Sequence, residues 1–155
     1  MRPIHAWLAE YGESHRHPVN KAVHWVCVPL IMLSLVALFA AIPRPDAFAI
    51  SPLLTWGTVL IALAIGYYLV LAPRLALGML LVGAALVFAT WALSLLPWPL
   101  AATGAVIFVV SWIGQFIGHH VEGRKPSFLK DVQFLLIGPL WLLAWLYRHF
   151  DVRIA

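Results

Sequence analysis

The stretch LLTWGTVLIALAIGYYLVLAPRLALGMLLVGAALVFATWALSLL, residues 53–96, carries one charged side chain, Arg74, in 44 residues. As a single helix it would run about 66 Å at 1.5 Å per residue, twice the roughly 30 Å hydrocarbon core of a bilayer. Its only interruption is Pro73-Arg74. Proline has no N–H to continue a helix and disfavours the helical conformation of the residue before it. The stretch therefore predicts two membrane spans, about Leu53 to Leu71 and Leu75 to Leu96, folded back as a tight helical hairpin.

Outward from this hairpin the pattern repeats. A span from about Ala22 to Ala41 precedes it, separated by a polar turn at Arg44, Pro45 and Asp46. Pro97-Trp98-Pro99 leads into another span, about Leu100 to Gly118. The last apolar stretch, Val132 to Tyr147, has 16 residues and a Gly138-Pro139 interruption, so it either crosses with local thinning or re-enters. Gly66, Gly78, Gly83, Ala84 and Ala85 are small residues that permit close helix contact. Near the N-terminus, Ile4, Trp7, Leu8 and Tyr11 recur at helical spacing beside Glu10, Glu13 and Arg16, which reads as an amphipathic helix at the interface. Pro18 should end it at His17, and Asn20 can cap the next helix. The expected fold is all-α: a polytopic membrane helix bundle of four to five transmembrane helices plus an N-terminal interfacial helix.

Composition agrees. Of 155 residues, 63% are hydrophobic and 10% charged, whereas a soluble domain carries about 25% charged residues. No polar linker divides the chain, so residues 1–155 read as one membrane-embedded domain. Five charges and three histidines in the first 21 residues do not read as a cleavable signal. The single cysteine, Cys27, excludes an intrachain disulfide and a thiolate metal cluster. A net charge of +4 from so few ionisable groups points to membrane orientation rather than to nucleic acid. With five spans and a cytoplasmic N-terminus, Arg2, Arg16, Lys21, Arg74, Arg124, Lys125 and Lys130 lie inside, seven basic residues against three outside.

Two segments break the apolar pattern: YGESHRHPVNKAVHW, residues 11–25, and QFIGHHVEGRKPS, residues 115–127. They hold five of the seven histidines, His15, His17, His24, His119 and His120; of these His17 and His120 point elsewhere on a helix, and His5 and His149, outside the segments, read as interfacial decoration. His15 and His24 are nine residues apart, half a turn out of phase on one continuous helix, and the break at Pro18 removes that conflict. In the second segment Ser111, Gln115, His119 and Glu122 form one polar stripe, which must face the bundle interior. Imidazoles with a carboxylate and no cysteine suit Fe(II), Zn or Mn. Helix-end polarity facing headgroups, a proton or ion path in a transporter or ion-binding protein, and paired histidine ligation of haem account for the same residues.

The two motifs together, Tyr11, His15, Asn20 and His24 followed by a span containing Pro29, then QFIGH with Glu122 and Pro126 nearby and IGPLWLL after it, resemble the 2-hydroxy fatty acid dioxygenase family of fatty-acid α-oxidation. The resemblance runs from Trp7 to about Trp145. It implies an Fe(II)-dependent enzyme that cleaves a 2-hydroxy fatty acid with O₂ to a chain one carbon shorter. It carries His15, His24 and His119 over as metal ligands and sets Glu122 close to the expected acidic position as a catalytic residue. Its members are integral membrane proteins, of the endoplasmic reticulum in eukaryotes; in a bacterium the place would be the inner membrane. The active site is expected at the cytoplasmic face, where the hydroxyl and carboxylate of the substrate can chelate the metal while its acyl chain lies between helices.

Overall fold

Proline placement sets most of the helix boundaries. The computed structural model describes residues 2–127 and 133–154. Helix α1 covers Ile4–Glu13, α2 Pro18–Ala40, α3 Trp56–Leu71, α4 Pro73–Ser94, α5 Leu100–Glu122 and α6 Phe134–His149, with a 3₁₀ turn at Asp46–Phe48. No strand occurs among the described residues. Pro18 and Pro73 open α2 and α4 in the first turn, where the missing N–H costs nothing. Between α3 and α4 only Ala72 is non-helical, at φ −155° and ψ 76°, and it is buried. The hairpin read from residues 53–96 is therefore a one-residue break.

Three helices, α2, α4 and α5, are long and apolar enough to cross a membrane, and α3 is a shorter apolar helix of 16 residues. Their outward faces carry large apolar side chains, among them Leu63, Leu77, Leu81, Phe88, Val106, Val110 and Ile117. Such a belt would be a penalty against water and is none against lipid. Helix α3 starts three residues later than expected because Thr55 and Thr58 cap it reciprocally and hold Leu53 and Leu54 outside. The final apolar stretch begins at residue 132, outside the described residues; its helix, α6, has 16 residues, and half of them are buried.

Three expectations about the N-terminus are corrected. Helix α1 ends at Glu13 rather than His17, and its apolar face, Ile4, Trp7, Leu8 and Tyr11, is buried in the main core against α6 instead of being left for lipid. Trp7 meets Phe134 edge-on at 5.1 Å between ring centroids. The N-cap of α2 is His17, whose ring Nδ1 accepts from the Val19 N–H, while Asn20 lies wholly buried inside the first turn.

Helices α2 and α5 run antiparallel and make the most extensive contact in the bundle. Glycines on α5 let the backbones approach. A Cβ at Gly118 would lie 2.5 Å from Asn20 Oδ1, and one at Gly114 would lie 2.7 Å from Cys27 Sγ. Of the small residues singled out in sequence, Gly78 and Gly83 do sit under neighbouring side chains, whereas Gly66 faces open space and Ala84 and Ala85 are exposed. Gly118→Ala is thus expected to lower stability by about 1–3 kcal/mol, the usual cost of forcing a methyl into a packed contact. Gly66→Ala should leave stability unchanged or raise it, as alanine favours helix. Thermal unfolding in detergent compares the two directly.

Candidate metal centre

The break between α1 and α2 creates the site. Ser14 to His17 leave the helical path, Pro18 restarts it, and the two rings from either side of the break converge. His15 and His24 stand 4.2 Å apart between ring centroids, and His119 from the last turn of α5 is 5.0 Å from each. All three are buried, at 1%, 2% and 5% exposure. One nitrogen from each lies within 4.8 Å of the others, the one such cluster of metal-binding side chains among the described residues.

Hydrogen bonding fixes how two of these rings present themselves. His15 Nδ1 is 2.5 Å from the Tyr11 carbonyl oxygen, and His24 Nδ1 is 2.8 Å from the Asn20 carbonyl oxygen. A carbonyl can only accept, so each Nδ1 must carry the proton. The Nε2 atoms then present lone pairs, and they face each other at 2.8 Å. Two neutral imidazoles in that arrangement repel unless a proton or a cation lies between them. Burial, the largest influence, lowers the pKa of His15 to about 4, so this ring is a neutral donor near pH 7. His119 adds a buried Nδ1 with no hydrogen-bond partner. Three neutral nitrogens, two of them oriented through Nδ1–H to backbone carbonyls, are a donor set that fits a first-row metal ion.

Aromatic rings enclose the cluster. Tyr11 stacks on His15 at 4.1 Å with an interplanar angle of 12°, and Trp141 of α6 approaches His15 at 5.4 Å. Burial raises the Tyr11 phenol well above its ordinary pKa and keeps it neutral. Its hydroxyl reaches α6 where Gly138 stands, and a Cβ there would lie 2.9 Å from it. Tyr11 therefore acts as a wall that shields His15 from water.

Glu122 does not join the histidine cluster. Its carboxylate accepts from the Arg16 N–H at 3.0 Å, the His17 N–H at 2.8 Å and Asn20 Nδ2 at 3.2 Å. It ties the end of α5 to the chain break that positions His15. Asn20 Nδ2 also donates to the Ser14 carbonyl, so the break is held from both sides. The rest of the polar stripe is buried as expected: Ser111 and Gln115 face inward with His119. His5, His17, His120 and His149 are all exposed and outside the cluster. Sequence reasoning missed Trp141 as a wall and Gly118 as the seat for Asn20; the Gly114–Gly118 spacing was the available signal for the second.

Next to the cluster lies a cavity of about 790 Å³, its open mouth included. His24 and His119 line it together with Tyr11 and Gln115, and the remaining walls are mostly apolar side chains of α2, α5 and α6. A family model described as 2-hydroxy-palmitic acid dioxygenase, Mpo1-like, matches residues 1–150. No curated protein and no solved structure matches the chain.

Proposed function

The chain belongs to the Mpo1-like family, that of 2-hydroxy-palmitic acid dioxygenase, and from that premise we propose that His15, His24 and His119 hold Fe(II) at the cytoplasmic end of the bundle and act on a long-chain 2-hydroxy fatty acid taken from the bilayer. The family and the buried triad together make the protein a metal-dependent oxidoreductase. The observation that carries the iron reading is the pair of Nε2 lone pairs facing at 2.8 Å beside the unpartnered His119 nitrogen. When bound, Fe(II) supplies the redox chemistry that activates O₂ for cleavage between C1 and C2, leaving a chain one carbon shorter.

The chain's own residues provide the rest. The carbonyls of Tyr11 and Asn20 hold two rings in one tautomer and one orientation. Tyr11 and Trp141 limit water at His15. The cavity accepts an acyl chain beside His24 and His119 without a need to lift the lipid into water. Arg16, Lys21, Arg124 and Lys125 flank the same end of the bundle, which supports a cytoplasmic site and an inner membrane or endoplasmic reticulum setting; Lys130 lies outside the described residues. Four spans, α2 to α5, with α6 packed against α1, α2 and α4, suit this orientation, and residues 1–155 then act as one domain.

The alternatives raised by the sequence fare worse. An ion path needs polar groups across the bundle, yet the inward face of α5 turns apolar beyond Ser111, at Phe108 and Gly104. Paired haem ligation needs two histidine nitrogens about 4 Å apart across a macrocycle, and the Nε2 atoms here are 2.8 Å apart.

Purified protein given Fe(II), O₂ and a long-chain 2-hydroxy acid should release the acid's chain shortened by one carbon. The unhydroxylated acid should react poorly, because it lacks the hydroxyl that closes a chelate ring. A chelator should abolish turnover, and Fe(II) should restore it where Zn(II), which has no redox chemistry, does not. Binding of 2-hydroxy acids without any shortened product, with iron present, would defeat the dioxygenase reading in favour of a carrier.

A further inference from the structure

The antiparallel pairing of α2 and α5 has a register that can be read from three close contacts: Val23 against Gly118, Cys27 against Gly114 and Leu38 against Gly104. On the neighbouring face His24 stands 5.0 Å from His119 between ring centroids, and equal steps down the two antiparallel helices from that pair set Val28 level with Gln115, Ile31 with Trp112 and Leu35 with Phe108. All four pairs line the cavity beside the histidine cluster. The cavity is therefore a ladder of matched rungs, one from each helix, descending from the metal-binding end into the apolar part of the bundle.

Polarity falls along it. The first rung is two imidazoles, the second carries one amide, and the last two are wholly apolar apart from the indole N–H of Trp112. From His24 to Leu35, and equally from His119 to Phe108, is 11 residues, about 16 Å at 1.5 Å per residue. No residue of α2 beyond Leu35, and none of α5 before Phe108, lines the cavity. One turn further on, Leu38 packs over Gly104 and the helices meet directly.

We propose that Leu35 and Phe108 are the floor of this cavity and set the acyl-chain length the enzyme prefers. The proposal rests on the reading of the cavity as the site of a 2-hydroxy fatty acid. With bonds of about 1.5 Å at tetrahedral angles, an extended acyl chain advances about 1.25 Å per carbon. Roughly thirteen carbons then reach from the first rung to the floor, so an acid of about fourteen carbons fills the ladder. Shorter chains leave the lower rungs without contacts, and longer ones must bend or leave the groove for lipid. Leu35 and Phe108 touch only the tail of the substrate. They act on chain length and not on the reaction.

The test is a series of 2-hydroxy acids from ten to twenty-two carbons, read both as turnover and as displacement of a fluorescent fatty acid from the purified protein. Phe108→Ala removes a ring about as long as three methylenes, and the preferred length should rise by about two to four carbons. Leu35→Trp fills the floor and should lower it by a similar amount. Ile113→Ala, at an exposed position on the outer face of α5, should leave the profile unchanged. Metal content should match wild type in all three variants. Opposite shifts from the two floor variants in either readout would support the ruler. An unchanged preference in both would overturn it while leaving the dioxygenase reading intact. Absence of turnover by the wild type, with displacement still graded by chain length and shifted by the variants, would sink the reaction and keep the groove; absence of both would sink the two together.

Discussion

Alanine at His15, His24 or His119 is expected to strip the protein of its metal, each substitution alone being sufficient. A buried structural zinc site binds with about 10–16 kcal/mol shared over four ligands, so one imidazole accounts for about 3–4 kcal/mol, or roughly 10²–10³-fold in affinity. With three protein ligands none is spare. His5→Ala and His149→Ala should retain wild-type metal, because both rings are exposed and His149 only stacks on Trp145. His17→Ala tests position more finely. It removes the N-cap of α2, worth about 1 kcal/mol of stability, but should leave the site loaded. Metal content by elemental analysis, set beside thermal unfolding of each variant, separates ligand loss from unfolding. Equal metal loss in all of these variants would mean that the three-histidine convergence is not the binding site.

The sequence discloses this triad for a reason that can be traced to Pro18. Nine residues separate His15 from His24, and no single helix brings both to one point; a proline between them permits it. The polar stripe from Ser111 to His119 is legible for a similar reason, because polar side chains at helical spacing in an apolar helix cannot face lipid. Pro73 marks the hairpin because its missing N–H stops the α3 ladder whatever surrounds it. Helix α1 was legible as amphipathic but not as a core helix. Ile4, Trp7, Leu8 and Tyr11 make the same stripe whether lipid or α6 covers it, and only the tertiary partner decides. The glycines show the same limit. Gly66 and Gly118 are equally small in sequence, yet one faces open space and the other seats Asn20. Spacing put Glu122 on the same helix face as His119, but its targets include the backbone N–H groups of Arg16 and His17. Every residue except proline has such a donor, so no pattern of side chains announces that contact.

That contact makes Glu122 the other position where one change should matter most. Glu122→Ala removes the acceptor for the Arg16 and His17 N–H groups and for Asn20 Nδ2. Water can replace it at the two exposed backbone groups. Asn20 is fully buried, and its amide keeps only the Ser14 carbonyl. The chain break would then be less firmly held, and His15, one residue before Arg16, would lose its fixed place opposite His24. Metal affinity should fall by about 10–100-fold, the range seen when a residue that orients a ligand is removed. Glu122→Gln should fall less, since an amide oxygen in the place of Oε2 still accepts from the His17 N–H and Asn20 Nδ2 while its NH₂ faces only the Arg16 N–H. Asn20→Ala should weaken the site through the same contact, so that the double variant with Glu122→Ala loses less than the two single losses combined. A carboxylate that bound the metal itself would give a different ordering: Glu122→Gln would empty the site as thoroughly as His119→Ala, and Asn20→Ala would add its effect independently. Metal titration of the four variants distinguishes the two cases, and an emptied Glu122→Gln site would overturn the positioning role.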